Sequence, residues 1–227
     1  MRVLIIGGTS GLGLSLAKQL VDESSSHEVV VTGRHDPGEA RLQYLKIDLC
    51  REDAIEYLIP LLYDTEPFDA VIYAAGMRED GTIDELGEKE IDNMISVGLA
   101  MPTRILKYVL KAQGQLDTFI AVTSTSQITP RLREPLYTAV KAALGMLAKS
   151  LAEDPRIGRV LVAAPAGMDT QFWAGSDRET VDFLDPEIVA RAIWELYEGD
   201  YTYALVKLLR GGDPLKVEIV EMDGAGD

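Results

Sequence analysis

Along this chain, short apolar runs alternate with longer segments whose apolar residues recur every three to four positions. The runs cover residues 2–6, 28–32, 43–47, 69–75, 117–123, 159–163 and 216–221. Most are rich in Val, Ile and Tyr and too short for helices, so they read as strands buried on both faces. The helical spacing falls in 12–23, 52–63, 91–112, 136–151 and 186–197. Two boundaries carry explicit signals. Asp185 before Pro186 is a capping residue ahead of a proline at the first helical position, and the polar cluster Asp22 to Ser26 stops the first helix. Strand–helix alternation of this kind predicts an α/β fold: a doubly wound parallel sheet of about seven strands with helices on both faces. With no repeat, low-complexity tract or linker, residues 1–227 are expected to form one domain, and 223–227 a frayed tail.

Composition narrows the partners. Hydrophobic residues make up 47%, normal for a packed domain and too many for a disordered chain. The formal charge of −15 argues against nucleic acid or an anionic membrane as partner. It also means that a polyanionic ligand has to be held by local devices. Cys50 is the lone cysteine, which excludes an intrachain disulfide and suits a reducing, cytoplasmic setting. The apolar run near the N-terminus is too short for a signal-peptide core or a membrane span. His27 and His35 flank one predicted strand and, with a single Cys, make no metal set, so surface roles are expected for them.

One local device is visible at the first strand–helix junction, Gly7-Gly8-Thr9-Ser10-Gly11-Leu12-Gly13. Glycines let the backbone turn sharply and bring N–H groups against a pyrophosphate, and the helix N-terminus adds partial positive charge. The same turn can also be purely structural. The spacing matches neither the G-x-G-x-x-G of long dehydrogenases nor a Walker loop.

A second candidate is Tyr137-Thr-Ala-Val-Lys141, where four-residue spacing on a helix puts both side chains on one face. A nearby ammonium is expected to lower the phenol's pKa from about 10 and suit it to general acid/base work. The spacing is not specific, because Tyr203 and Lys207 share it. Ser124 separates the two pairs. It ends the fifth predicted strand thirteen residues before Tyr137, whereas the equivalent position before Tyr203 is Ala190, inside a predicted helix. A strand-end hydroxyl and a phenol on the next helix can converge where open α/β sheets bind ligands, although Ser124 can also be an ordinary strand-end hydroxyl.

The glycine loop with Ser124, Tyr137 and Lys141 resembles the short-chain dehydrogenase/reductase family, over nearly the whole chain. The resemblance implies a Rossmann-type fold, with Tyr137 as catalytic acid/base, Ser124 positioning the substrate oxygen and Lys141 holding the nicotinamide ribose. It implies cofactor contacts from Gly7, Thr9, Ser10, Gly11 and Leu12, and from Asp48 and Leu49 near the adenine. It extends them to Ala74, Ala75 and Gly76 in Tyr-Ala-Ala-Gly, to Val97, and to Pro165, Met168 and Thr170 beside the nicotinamide. Three positions depart from the family pattern. Gly98 follows Val97 where the family has its catalytic asparagine, with Asn93 nearby as a possible recruit; Ala74 replaces an Asn; and Ala166 replaces a glycine.

An acidic residue after the second strand would favour NAD(H). Here the segment is Thr32-Gly33-Arg34, and Arg34 can instead contact a 2′-phosphate, so NADP(H) is expected over NAD(H), unless Arg34 is a solvated loop residue. Arg131 and Arg133, between Ser124 and Tyr137, can recognise an anionic substrate group, though surface ion pairing is the commoner fate of such residues. The segment 171–184, with Phe172, Trp173 and Phe183, is expected to form a lid or pocket wall, its aromatics serving an apolar substrate or plain packing. The implied activity is pro-S hydride transfer to a small carbonyl compound, or from the corresponding alcohol. Homodimers or homotetramers through 91–112 and 136–151 would match the family. The main alternative is a non-catalytic dinucleotide sensor on the same fold. A sugar-nucleotide epimerase is disfavoured, because the chain leaves no room for that family's C-terminal substrate domain.

Overall fold

A computed structural model describes residues 1–63, 66–174 and 180–224. The strands are β1 (Arg2–Ile6), β2 (Glu28–Gly33), β3 (Gln43–Lys46), β4 (Ala70–Tyr73), β5 (Leu116–Val122), β6 (Ile157–Pro165), β7 (Tyr203–Leu209) and β8 (Lys216–Asp223). The helices are α1 (Gly11–Glu23), α2 (Ala54–Tyr63), α3 (Glu88–Ile95), α4 (Met101–Gln113), α5 (Pro135–Leu151) and α6 (Pro186–Tyr197), with a π turn over Ser96–Ala100 joining α3 to α4. Among the described residues no helix is long and apolar enough to cross a membrane.

The strands form one sheet in the order β3-β2-β1-β4-β5-β6-β7-β8. Alternation explains why β1 is buried along its whole length. Val3 and Ile5 face a layer containing Leu16 and Leu20 of α1 and Ile193 of α6, while Leu4 and Ile6 face Leu58 of α2, Ile105 of α4 and Leu144 of α5. The strand order reverses between β1 and β4, which opens a crevice at their carboxyl ends.

Two sequence expectations need correction. The sheet has eight strands, and the run at 216–221 is an antiparallel edge strand paired with β7, an element the strand–helix alternation did not predict. This hairpin also settles the second Tyr/Lys pair. Tyr203 and Lys207 lie on a strand, Tyr203 is buried, and Lys207 Nζ donates to Glu218 Oε1 at 2.8 Å. Asp223, placed in the expected tail, pairs with Tyr203 at the end of β8, and residues 225–227 lie outside the described residues.

The second correction concerns the helix expected at 91–112. It starts earlier because Glu90 Oε2 accepts from the Gly87 N–H at 2.9 Å, closing the helix start. It is then interrupted, because Pro102 has no N–H to give the Gly98 carbonyl and its ring would clash there; the ladder widens into the π turn instead. The expected cap at α6 is present, with Asp185 accepting from the Glu187 N–H at 2.8 Å. His27 is partly buried, and its Nδ1 lies 3.0 Å from the Leu20 carbonyl.

Candidate functional site

The crevice at the strand carboxyl ends is a cleft of about 760 Å3. Every residue assigned above to cofactor or catalysis lines it: Gly7, Thr9, Ser10, Gly11, Leu12, Arg34, Asp48, Leu49, Ala74, Ala75, Gly76, Val97, Ser124, Tyr137, Lys141, Pro165, Met168 and Thr170. Asn93 lines it too.

The glycine loop leaves β1 with Gly7 at φ +83°. A Cβ on Gly7 would lie 2.6 Å from the Ala75 nitrogen, and one on Gly13 would lie 2.2 Å from the Gly7 carbonyl. The loop is therefore pressed against the β4 turn and the start of α1 so closely that only bare backbone fits. Ser10 makes no side-chain cap, and α1 has no acidic residue in its first turn, so its leading N–H groups and partial charge are presented to the cleft. These residues fit a pyrophosphate. At the outer end, Asp48 Oδ1 accepts from the Cys50 N–H at 3.1 Å, and Arg34 is exposed with no ion pair among the described residues. A Cβ on Gly33 would fall 1.9 Å from Thr9 Oγ1, so the last position of β2 has no space for a side chain of any kind.

At the inner end, β5 delivers Ser124 and α5 delivers Tyr137 and Lys141. Ser124 Oγ accepts from the Ser126 N–H at 3.1 Å, which fixes the hydroxyl at the start of a short turn. Lys141 Nζ donates to the Val122 carbonyl at 3.0 Å and stands 5.8 Å from the centroid of the Tyr137 ring. Both side chains are buried. Burial pushes Tyr137 up to about 12, opposed by its hydrogen bond with Ser124, and loss of hydration pulls Lys141 down to about 8. This corrects the expectation of a lowered phenol: burial outweighs the Ser124 hydrogen bond and the charges of Arg78 and Arg131.

The π turn carries the largest departure. Its widened ladder frees the Val97 carbonyl, which accepts a hydrogen bond from the Tyr73 hydroxyl inside the core. A Cβ on Gly98 would lie 2.7 Å from the Cβ of Val140, so α5 passes too close for any residue but glycine. The asparagine expected from the family pattern is thus excluded by packing.

Two residues of the cleft, Arg78 and Glu134, were not read from the sequence. Arg78, just past Gly76, has a side chain only 6% exposed. Its Nη1 lies 3.3 Å from Glu134 Oε1, and its guanidinium sits 4.6 Å from the centroid of Trp173. Glu134 is itself 1% exposed. The aromatics expected in a lid form a chain, Tyr137 to Phe172 at 6.0 Å, Phe172 to Trp173 at 5.8 Å and Trp173 to Phe183 at 5.1 Å; residues 175–179 of that segment lie outside the described residues. Of the two arginines singled out earlier, Arg133 pairs at the surface with Asp80 at 2.8 Å and Glu85 at 3.3 Å, whereas Arg131 lines the cleft.

Comparison with known proteins places this geometry. The family model for short chain dehydrogenases matches residues 1–180. Carbonyl reductase family member 4 of Xenopus tropicalis is 25% identical over 232 aligned residues, covering 94% of this chain and 98% of its own. A short-chain dehydrogenase from Sphingobium yanoikuyae, solved in complex with NADPH, superposes with a TM-score of 0.77 at 20% identity, covering 87% of this chain and 84% of that one. A 4-hydroxyisoleucine dehydrogenase complexed with NADH gives 0.75 at 22% identity, covering 87% and 90%.

Proposed function

Because the chain belongs to the short chain dehydrogenase family, we propose that it is an NADP(H)-dependent reductase of a small carbonyl compound, with Tyr137 as the proton donor. The observation that carries this reading is the convergence of Ser124, Tyr137 and Lys141 in the cleft that the glycine loop opens. When bound, the nicotinamide supplies the hydride. The loop from Gly7 to Gly13 and the start of α1 take the pyrophosphate, and Lys141 reaches the ribose. Ser124 orients the substrate oxygen. A phenol whose pKa is raised to about 12 is neutral at pH 7 and can donate its proton to that oxygen as charge develops there. Lys141, at about 8, is mostly charged at pH 7 and stabilises the phenolate left behind.

The preference for NADP(H) rests on Gly33 and Arg34. Thr9 leaves no room at position 33 for the acidic side chain that would bind ribose hydroxyls and repel a 2′-phosphate, and Arg34 is the next residue with an uncommitted charge.

The absence of a side chain at Gly98 favours one rival, a sensor that binds the dinucleotide without turnover. NADPH carrying deuterium at the pro-S position, incubated with the protein and a panel of ketones, aldehydes and oxo acids, separates the two. A reductase places deuterium on the carbinol carbon of a product, and Tyr137→Phe lowers that rate about 100- to 10,000-fold while NADPH affinity is kept. Tight NADPH binding with no deuterated product is the sensor's signature and would defeat the enzymatic reading.

A further inference from the structure

The charge lining the cleft runs against that of the chain. With a formal charge of −15 overall, the protein lines its cleft, among the described residues, with six basic side chains and three acidic ones. Arg34, Lys89 and Lys141 stand with the parts assigned to the cofactor. Arg78, Arg131 and Arg210 remain for whatever lies against Tyr137, opposed by Glu79 and Glu134.

Arg78 is the unusual member. Its side chain is 6% exposed, and its Nη1 is divided between Glu134 Oε1 and Asp80 Oδ1, both at 3.3 Å, long for charge-assisted bonds. Its Nε is buried with no hydrogen-bond partner among the described residues. A buried N–H left unpaired is costly, and such groups are rare in folded proteins unless a ligand or water completes them. Trp173 covers the guanidinium at 4.6 Å, and Phe172 continues that contact to the Tyr137 ring, so the under-bonded cation is fixed on the wall leading to the phenol.

Arg131 flanks it. Its Nε donates to Ser126 Oγ at 3.1 Å and stands 3.7 Å from Glu134 Oε2. Glu134 therefore lies between two guanidiniums, and the second carboxylate on Arg78, Asp80, is shared with Arg133. The fields of Arg78, Arg131 and Glu134 all reach the Tyr137 hydroxyl, which puts this cluster at the reacting end.

We propose that the substrate carries a carboxylate near its carbonyl, that Arg78 binds this carboxylate, and that Arg131 assists. The inference rests on the reductase reading of Tyr137 and narrows it to oxo acids, or the matching hydroxy acids in reverse. A planar guanidinium with a free Nε suits a carboxylate, and the positive lining draws anions into an otherwise repelling protein.

The test pairs short oxo acids, with the ketone at successive carbons, against their primary amides. Each is measured for NADPH-dependent turnover and, separately, for binding to the NADP+-saturated protein by calorimetry. The acids should exceed their amides at least tenfold in kcat/KM. Arg78→Gln should raise KM and Kd for the best acid about tenfold to a hundredfold, and by much less for its amide. Glu134→Gln should lower KM for the acid, because it removes the competing carboxylate. Equal use or equal binding of acid and amide by the wild-type protein, equal losses for both with Arg78→Gln, or no binding of either, would overturn the inference. Binding of the acid that Arg78→Gln abolishes, with no turnover of any compound, would keep the site and defeat the reductase reading instead.

Discussion

Replacing Gly98 by alanine pits two effects of opposite sign against each other. In a helical segment, Gly to Ala gains up to about 1 kcal/mol from reduced backbone entropy. Against this, the new Cβ would lie 2.7 Å from the Cβ and 2.8 Å from Cγ2 of Val140. Carbon atoms in contact rest at about 3.5–4.0 Å, so the π turn and α5 must separate by roughly 1 Å. A Cβ is fixed to the backbone and cannot escape by changing rotamer, which puts the cost in the upper part of the about 1–3 kcal/mol typical of overpacking. The net expectation is a loss of about 1–2 kcal/mol. For a chain of this length that lowers the thermal midpoint by about 2–8 °C, where a helix free of the contact would gain a few degrees. Gly98→Asn should lose at least as much. Val140→Ala removes the γ-methyls but keeps its Cβ, so in a double-mutant cycle it should recover part of the loss and no more. The assay is calorimetric unfolding of the four proteins. A rise in midpoint with Gly98→Ala, or additive effects in the cycle, would refute the argument that packing alone excludes a side chain at this position.

Two further outcomes follow from the same geometry. Lys141 titrates at about 8 when folded against 10.5 when unfolded, so between those values the unfolded chain binds more protons and stability rises with pH. Lys141 should add about 2 kcal/mol of stability between pH 8 and about pH 9.5, read by urea titration as the difference between the wild-type protein and Lys141→Met; the raised Cys50 thiol and the buried phenols oppose the rise equally in both proteins. Parallel slopes would mean that the amine is not desolvated. Arg34→Ala should weaken NADPH binding about tenfold to a hundredfold and leave NADH nearly unchanged, read by fluorescence titration, and equal losses for both would show that Arg34 does not face the 2′-phosphate.

Much of this was legible in the chain, for identifiable reasons. Strands buried on both faces give continuous Val/Ile runs, and the glycine loop needs glycine for contacts that the structure shows to be shorter than any Cβ permits. Ser124, Tyr137 and Lys141 could be picked out because two are on one helix face and the third lies just past the preceding strand. What escaped depended on tertiary contacts. β7 is an apolar run whose Tyr203 and Lys207 can be spaced for a helix as well as for a strand. The π turn needs Pro102 read together with the approach of Val140. Arg78 and Glu134 look like loop charges next to Gly76 and Pro135, and only the fold buries them face to face. The expectation about the Tyr137 pKa failed for a related reason: spacing located the ammonium, but the depth of burial set the balance.

The central claim is that this cleft holds a nicotinamide dinucleotide, and calorimetric titration of the wild-type protein with NADPH and with NADH tests it most directly. The account predicts saturable binding of one dinucleotide per chain, with NADPH at least tenfold tighter than NADH. Comparable affinities would contradict the role given to Gly33 and Arg34, and no binding of either would contradict the site itself.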